Sequence, residues 1–356
     1  QKLNSLIAKN MVALGAFSFI SGLPFEKVSD IVISRFGEKS LSALKAGLDY
    51  ASENLKGEGF KVEAVSPRPH ETLIISGNQA VSMGAIAAGV KVFAGYPITP
   101  ATDIMEFLAR ELPKTGGWVV QTEDEISAVC TLLGASFAGA KAMTATSGPG
   151  LSLMVEGVGL ASMAELPAVI VNVQRGGPST GMPTKTEQSD LNIAIFGSHG
   201  DSPRVVLAPS TVEECFYLNI HAFNISEMCQ LPVFILMDQF LGQRRETVAT
   251  FDLSGIELTR RLIPSAEKLK GYKRYRITDS GVSPMAVPGI EGGEHAATGL
   301  EHGEDGAPSY EPDNHLTMTR KRWKKLELAR PYSIKPMRFG ADDAEDGGDQ
   351  RPRVAD

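Results

Sequence analysis

The stretch Lys141–Gln174, KAMTATSGPGLSLMVEGVGLASMAELPAVIVNVQ, decides the fold class of this chain. Its two ends, KAMTATS and PAVIVNVQ, are short apolar runs of strand length, and the segment between them has the length and the small residues of a buried helix. Two strands that are joined by a helix of this length pair in parallel. The stretch therefore predicts one strand–helix–strand unit of a parallel sheet.

The same alternation continues on both sides of this unit. Further short apolar runs separate amphipathic or small-residue helical patterns, and they read TLIISG, VKVFAG, WVVQTE, RVVLAP and LPVFILMD. Strands that are apolar along their whole length belong to sheets that helices cover on both faces. We therefore predict an α/β domain over residues 72–250, with a parallel sheet covered by helices on both faces.

The chain changes character outside this domain. Residues 1–56 predict three helices, and residues 57–71 form a polar linker. Residues 251–335 are rich in Gly and Pro with little periodicity, which leaves an ordered arm and a disordered one both open. Residues 336–356 are acidic and poor in apolar side chains, so we predict a disordered tail.

Composition and charge narrow the classes of function. The 356 residues are 42% hydrophobic and 22% charged, and the net charge of −7 argues against a nucleic-acid partner. The basic run RKRWKK, Arg320–Lys325, predicts a solvated helix face. No apolar run approaches the length that crosses a bilayer, and the N-terminal residues lack the layout of a signal peptide. We therefore expect a cytoplasmic protein that does not bind membranes.

The cysteines and histidines predict no metal site on this chain alone. Cys130, Cys215 and Cys229 lack CxxC spacing, which is typical of core packing in a reducing compartment. Three thiols cannot supply the four ligands of an iron–sulfur cluster. The six histidines form neither an HxH nor an HExxH pattern.

Four loops with small, rigid or charged residues follow predicted strands. They read GYPITP, QTEDE, TSGPG and QRGGPSTGMPTKTEQSD. Ligands of open parallel sheets bind outside the carboxyl ends of the strands, where these loops must lie. We therefore expect the four loops to share one rim and to form a site.

The GYPITP corner is stiff because Pro97 and Pro100 restrict the residues before them. Tyr96 and Thr99 are held extended, and Pro100 is a suitable first helical residue. These preferences predict Thr99 as the N-cap of the helix that follows.

Two of the other loops carry candidate charged groups. Glu125 in QTEDE precedes Ile126 and a run of small residues, so among the three acids of that loop it is the one we expect to turn inward. Arg175 follows an apolar strand directly, and burying it is costly unless an anion meets its guanidinium. A structural salt bridge and a carboxylate ligand are both possible, and the small donors around Arg175 favour the ligand.

The TSGPG loop, Thr146–Gly150, has two possible roles. Its backbone amides at a helix start could cradle a phosphate, or its glycines could allow a close approach of helix and strand. It matches neither the P-loop pattern nor the GxGxxG dinucleotide pattern.

Five motifs in order, GYPITP, EDEISAV, TSGPGLSLM, QRGGPSTGMPTKTEQSDL and ATGLEH, resemble the alpha subunit of 2-oxoacid:ferredoxin oxidoreductases, most closely the 2-oxoglutarate type. The resemblance extends over roughly residues 1–335. It implies that the α/β domain is the pyrimidine-binding module for thiamine diphosphate and that residues 1–56 are the helical end of a gamma-type domain. It also implies oxidative decarboxylation of a 2-oxoacid to an acyl-CoA, with electrons passed to ferredoxin.

The resemblance assigns roles by position. Glu125 falls where the family's glutamate meets the aminopyrimidine N1′, and Ser147 and Gly148 fall at the cofactor. Tyr96, Thr99 and Arg175 fall at the 2-oxoacid, and Thr184 falls at a position associated with substrate preference. A separate beta subunit of the heterodimer is implied to supply the Mg²⁺, the diphosphate site and the [4Fe–4S] cluster.

The chain departs from the family pattern at both ends. Most of the gamma domain is missing at the front, and after about residue 335 an acidic sequence stands where a further α/β domain should begin. We therefore expect a fragment or a shifted reading frame. The rival interpretations are a non-catalytic structural subunit and a transketolase-like thiamine enzyme.

Overall fold

The computed structural model of the chain describes residues 6–55, 59–60 and 71–332. They divide into two units, Gln1–Glu71 and Thr72–Asp356. The expected linker at 57–71 lies almost entirely outside the described residues, and the expected tail at 336–356 lies wholly outside them. Each unit is therefore described by itself.

The first unit contains the three helices that the sequence predicts: α1 (Leu6–Ser21), α2 (Phe25–Phe36) and α3 (Leu41–Asn54). Two glycines bring α1 and α3 close together. A Cβ on Gly15 would lie 1.9 Å from the carbonyl oxygen of Leu44, and one on Gly47 would lie 1.9 Å from that of Val12. Backbone therefore packs against backbone at both positions, which no residue with a side chain allows.

The second unit is built on a six-stranded parallel sheet in the order β3-β2-β4-β5-β7-β6. The strands of the unit are β1 (Thr72–Ser76), β2 (Val92–Gly95), β3 (Trp118–Gln121), β4 (Ala142–Thr146), β5 (Ala168–Gln174), β6 (Val205–Leu207), β7 (Pro232–Asp238) and β8 (Arg245–Ala249). Every residue of β4 and β5 is buried. The α/β fold class with a parallel sheet is confirmed.

Helices cover both faces of this sheet, as the apolar strands predict. The helices are α4 (Gly77–Ala87), α5 (Thr102–Glu111), α6 (Glu125–Phe137), α7 (Gly148–Met163), α8 (Leu191–Phe196), α9 (Val212–Cys229), α10 (Gln239–Gln243), α11 (Pro312–Lys324) and α12 (Leu326–Ala329). One core joins α4, α5 and α9 to one face, and a second core joins α6 and α7 to the other.

The first apolar run is not part of the parallel sheet, and this corrects the sequence prediction. β1 pairs antiparallel with β8, a strand that the sequence reading missed, through Thr72↔Ala249 to Ser76↔Arg245. Only the last two residues of β1 are buried, and Ile74 is 70% exposed. Because only part of β1 is buried, this strand can pair outside the parallel sheet, although its apolar composition predicted a place within that sheet.

The Gly/Pro-rich arm is ordered over its described residues, which decides between the two alternatives. Polar side chains of α9 hold it: the Asn224 amide donates to the Glu257 carbonyl at 2.8 Å, and Glu227 forms a buried ion pair with Arg261. Just after α9, the Gln230 amide donates to the Ser283 carbonyl at 2.8 Å. Hydrogen bonds and an ion pair thus replace periodic secondary structure as the anchor of the arm.

The basic run at Arg320–Lys325 is a solvated face only at Arg320 and Lys324, so the prediction fails for its other basic residues. Lys321, Arg322 and Lys325 are buried. Lys321 Nζ lies 2.6 Å from Glu165 Oε1, Lys325 bonds to the same carboxylate, and Arg322 lies 2.8 Å from Glu301. Acids that are distant in the sequence make this burial possible, because a buried charge needs a partner.

Candidate active site

The four candidate loops lie at the carboxyl edge of the parallel sheet, and the strand order of that sheet reverses between β2 and β4. β2 has β3 on one side and β4 on the other, so the loops after β2 and β4 flank the switch point of the strand order. Open α/β sheets bind ligands at such a crevice. The loops after β3 and β5 adjoin it and bring Glu125 and Arg175 to the same edge.

Glu125 is the buried acid of its loop. It is the first residue of α6 and is 5% exposed, whereas Glu123 is exposed and the Asp124 carboxylate caps the helix by accepting from the Ser127 N–H at 2.7 Å. Burial raises the pKa of the Glu125 carboxyl above its usual value, and the negative charge of Asp124 adds to the rise. Its own backbone N–H and the charge of Arg175 act in the opposite direction. The carboxyl therefore holds a proton more readily than an exposed glutamate does.

Gly150 makes room for this carboxyl. A Cβ at this position would lie 2.0 Å from Thr146 Oγ1 and 2.5 Å from Glu125 Oε1. Of the two roles considered for TSGPG, the structure supports close approach at Gly150. The sequence predicted a close approach for the glycines of this loop together, and only the structure shows that Gly150 is the one that meets Glu125.

Arg175 is buried without an acidic partner. Its Nη1 donates to the Thr99 carbonyl at 2.6 Å and its Nη2 donates to the Thr180 carbonyl at 2.8 Å. Within the described residues it forms no ion pair, and its buried Nε has no hydrogen-bond partner. Burial lowers the pKa of Arg175, and the charge of Glu125 partly offsets this. Three of its five N–H donors thus have no hydrogen-bond partner among the described residues.

The GYPITP corner differs from its prediction. The helix after it begins at Thr102, so Thr99 is not its N-cap. The Ile98 carbonyl accepts from the N–H groups of Ala101 and Thr102 at 2.8 and 3.0 Å, and this extra turn shifts the helix start by two residues. The Thr99 carbonyl is thereby left to brace Arg175, while the Thr99 and Tyr96 side chains are exposed at the rim.

Thr184 lies in an exposed turn of the loop after β5. The turn is closed by the Lys185 N–H, which donates to the Met182 carbonyl at 3.1 Å. Within the part of the chain that the structure describes, no hydrogen bond joins Thr184 to Glu125, Thr99 or Arg175. The structure therefore brings those three residues to one edge, where Arg175 donates to the Thr99 carbonyl, and it leaves Thr184 in a separate exposed turn.

Ser147 and Gly148 follow β4 directly at this edge. Ser147 is fully buried, and its Oγ has no hydrogen-bond partner among the described residues. Gly148 opens α7, and a Cβ on it would lie 3.5 Å from Asp190 Oδ2. A buried hydroxyl without a partner costs free energy unless a ligand completes it.

Sequence reasoning missed Asn172 and Asp190, which are bonded to each other and of which Asp190 lies beside Gly148. Asn172 Nδ2 donates to Asp190 Oδ2 at 2.8 Å. Burial raises the pKa of the Asp190 carboxyl, although the bond from Asn172 lowers it. The sequence could have predicted a polar group at this edge, because Asn172 interrupts the apolar strand β5.

Across residues 6–55, 59–60 and 71–332, no group of three or more His, Cys, Asp or Glu side chains could hold a metal ion. None of the helices in those ranges is long and apolar enough to cross a membrane.

Comparison with known proteins places this geometry in a family. The family profile for pyruvate flavodoxin/ferredoxin oxidoreductase, thiamine diphosphate-binding, matches residues 83–321. The chain is 46% identical over 261 residues to 2-oxoglutarate synthase subunit KorA of Methanocaldococcus jannaschii, covering 73% of this chain and 70% of the relative. It is 38% identical over 335 residues to 2-oxoglutarate oxidoreductase subunit KorA of Mycobacterium tuberculosis, covering 90% of this chain and 51% of the relative.

A solved structure is similar over most of the chain. It is the 2-oxoglutarate:ferredoxin oxidoreductase from Magnetococcus marinus with 2-oxoglutarate, coenzyme A and succinyl-CoA bound. The match has a TM-score of 0.84 and 44% identity, and it covers 92% of this chain and 58% of the solved chain. The chain thus spans little more than half the length of that protein and of the mycobacterial relative.

Proposed function

The chain belongs to the family of 2-oxoacid:ferredoxin oxidoreductase alpha subunits, which carry the pyruvate flavodoxin/ferredoxin oxidoreductase thiamine diphosphate-binding domain, and we propose that it acts as the alpha subunit of a 2-oxoglutarate:ferredoxin oxidoreductase. The proposed reaction is oxidative decarboxylation of 2-oxoglutarate to an acyl-CoA, with the electrons passed to ferredoxin. The two relatives and the solved structure that carry 2-oxoglutarate in their names support this choice of substrate.

One observation carries the proposal: a buried carboxyl with a raised pKa faces the same edge as a buried guanidinium that has no acidic partner. Glu125 and Arg175 interact electrostatically, yet no hydrogen bond joins them. A pair that served only stability would form a direct ion pair, because uncompensated burial of either charge is costly. Buried charged groups without a direct ion-pair partner are typical of a site in which a cofactor and an anionic substrate supply the missing partners.

The residues at the sheet edge fit the aminopyrimidine end of thiamine diphosphate. Ser147 Oγ is buried without a partner among the described residues, and the missing Cβ of Gly150 leaves room for the Glu125 carboxyl. When bound, thiamine diphosphate supplies the nucleophilic carbon and the electron sink for decarboxylation. Glu125, Ser147 and Gly148 would hold its pyrimidine end, and Glu125 would exchange a proton with the ring nitrogen N1′.

Arg175 is proposed to bind the substrate carboxylate. Its guanidinium is held by two backbone carbonyls and keeps three N–H donors, so it can receive a carboxylate without first being oriented. Thr99 and Tyr96 present exposed side chains at the rim above it, where they would contact the keto acid. Thr184, in its exposed turn, is proposed to influence which 2-oxoacid is accepted.

The partner subunit and the remaining cofactors belong to the same proposal. The subunit naming of the relatives supports a partner chain. We assign to that beta subunit the Mg²⁺, the diphosphate site and the [4Fe–4S] cluster, with ferredoxin as acceptor and coenzyme A as second substrate. All three cysteines are free thiols, which suits a reducing compartment, so we place the enzyme in the cytoplasm.

The test is reconstitution of the chain with its beta subunit. We expect reduction of ferredoxin or a viologen that depends on 2-oxoglutarate, coenzyme A and thiamine diphosphate, and iron that co-purifies with the pair and is absent from the alpha chain alone. A pair that binds thiamine diphosphate without any oxoacid-dependent reduction contradicts the proposal and favours a structural subunit. Turnover that needs no iron–sulfur partner favours a transketolase-like enzyme.

A further inference from the structure

Two hydrogen bonds close the base of the loop between β5 and α8, residues 175–190. The Asp190 backbone N–H donates to Gln174 Oε1 at 2.9 Å, and Asn172 Nδ2 donates to Asp190 Oδ2 at 2.8 Å. Asn172 and Gln174 belong to β5 and are buried, so they give the loop end a rigid support. We call these three residues, Asn172, Gln174 and Asp190, the base clamp.

The orientation of Asp190 is unusual for its position. It precedes the first residue of α8, where an aspartate normally accepts hydrogen bonds from the first-turn N–H groups. Its side chain makes no such bond and turns instead toward Asn172 and the start of α7. The Asp190 carboxylate therefore stabilises the base of the loop and does not cap α8.

The loop that the base clamp closes is the one that holds Arg175. Inside the loop, the Gly176 N–H donates to the Lys185 carbonyl at 2.9 Å and the Gly177 N–H donates to Glu187 Oε2 at 3.1 Å. The Thr180 carbonyl then accepts from Arg175 Nη2 at 2.8 Å. These bonds hold the second half of the 175–190 loop against its first residues. They therefore fix the Thr180 carbonyl, which is one of the two carbonyls that bind the Arg175 guanidinium.

We propose that Asp190 is a positioning residue of the substrate site, which holds the Arg175 guanidinium in its binding orientation by fixing the base of the 175–190 loop. The substrate part of this inference rests on the proposed function. The bracing part concerns this chain alone, so a measurement on the loop tests it even if turnover is absent.

The experiment compares Asp190→Ala with Asp190→Asn, because asparagine still offers an acceptor oxygen to Asn172 but carries no charge. Trypsin cleavage after the exposed Lys185 reports loop opening in the full chain, and oxoacid kinetics of the chain with its beta subunit report the site. For Asp190→Ala we expect cleavage about tenfold faster and a KM for 2-oxoglutarate about tenfold higher, with kcat nearly unchanged. For Asp190→Asn we expect both values close to wild type.

Further variants keep the inference testable if Asp190→Ala fails to fold. Gln174→Met removes the acceptor for the Asp190 N–H and should also speed cleavage after Lys185 and raise KM. Thr211→Ala removes an N-cap hydrogen bond to Glu214 at the start of α9, away from the loop, and serves as the control for general destabilisation. It should leave the cleavage rate after Lys185 unchanged.

Two outcomes would overturn the inference. Cleavage after Lys185 that is no faster in Asp190→Ala and Gln174→Met than in wild type means that the base clamp does not hold the loop. An Asp190→Asn variant whose KM for 2-oxoglutarate rises as much as that of Asp190→Ala means that the charge of Asp190, and not its hydrogen bond to Asn172, is what matters. Absence of turnover in the wild-type pair refutes the proposed function, and the proteolysis result still judges the base clamp.

Discussion

At the scale of single residues, the catalytic role proposed for Glu125 comes with a cost in stability. Its pKa is raised mainly because it is buried, so the folded chain binds a proton at this carboxyl more tightly than the unfolded chain does. Between the ordinary glutamate pKa and the raised one, folding stability therefore falls as the pH rises. Below that window the carboxyl is protonated in both states and carries no such cost.

Replacing Glu125 by Gln separates these two effects. Turnover should fall by a factor on the order of 10² to 10⁴, because the amide cannot exchange the proton. The thermal midpoint should equal that of wild type at low pH and exceed it above the raised pKa, since the cost of a buried charge is gone. Viologen reduction and melting curves over a pH series measure both.

Glu123→Gln is the matched control, because Glu123 lies two residues earlier and is exposed. It should change neither rate nor melting. Loss of turnover in Glu123→Gln, with Glu125→Gln active, would show that the catalytic carboxyl has been placed two residues too late.

The planar geometry of Arg175 also gives a prediction at this scale. Arg175→Lys keeps the charge but cannot hold the Thr99 and Thr180 carbonyls and a carboxylate together. The KM for 2-oxoglutarate should rise by about tenfold or more, equivalent to at least about 1.4 kcal/mol. Steady-state kinetics of the reconstituted pair measure this change.

Arg204→Lys is the control for Arg175→Lys. Arg204 also lacks an acidic partner within the described residues, and it donates to the Gly197 carbonyl at 2.5 Å and to Ser198 Oγ at 2.6 Å. It lies outside the site, so this change should leave KM unaltered. An equal rise of KM in both variants would mean that Arg175 acts through stability alone.

At the scale of elements, the first turn of α7 sets the geometry of the site. Gly150 admits the Glu125 carboxyl beside the helix, so Gly150→Ala should displace that carboxyl and reduce turnover strongly while the fold persists. Gly159 lies in the same helix with nothing within 4 Å of a Cβ, so Gly159→Ala should keep full activity. It should also gain about 0.5–1 kcal/mol of stability. Activity and melting of the two variants test this, and equal activity would contradict the role given to Gly150.

At the scale of the second unit, buried charges hold the arm to the α/β domain. Burial by itself would raise the pKa of Glu165, but the ammonium groups of Lys321 and Lys325 outweigh it and hold the pKa below the usual range. Burial lowers the pKa of Lys325 to about 7, which leaves it charged in the acidic range. The carboxylate thus compensates cations that arrive from a helix more than 150 residues later in the chain.

Glu165→Gln should destabilise the second unit by about 3–5 kcal/mol, because two lysines remain buried without a counter-charge. The depressed pKa means that the carboxylate contributes fully above the ordinary glutamate pKa and less as the pH falls through it. The difference in melting temperature from wild type should therefore be large at about pH 6 and smaller at about pH 3. Glu304→Gln, which removes an exposed 3.2 Å pair with Lys273, should cost about 1 kcal/mol or less.

A pH-independent difference for Glu165→Gln, or one no larger than that of Glu304→Gln, would contradict this role. In that case the packing of Tyr275 and Met318, and not the buried charges, would hold the arm.

Sequence patterns determined the local structure and the family of this chain. Apolar runs of strand length that alternate with helices specified the parallel sheet, because strands covered by helices on both faces are apolar along their whole length. The motifs at the rim identified the family, and the comparisons confirm it. The burial of Glu125 agrees with the prediction, but the reason drawn from its neighbour does not hold, because Ile126 is 50% exposed and Glu125 is instead accommodated beside Gly150 at the start of α6.

Only the tertiary structure decided which distant groups meet. The antiparallel pairing of β1 with β8, the burial of Lys321 and Lys325 on Glu165, and the Thr99 carbonyl on Arg175 all depend on contacts between segments far apart in the chain. Composition and periodicity report whether a side chain is buried or exposed on average, and they carry no information on its partner. A lysine looks solvated in the sequence until the fold brings it a carboxylate, because the free energy of burying a charge is set by that partner.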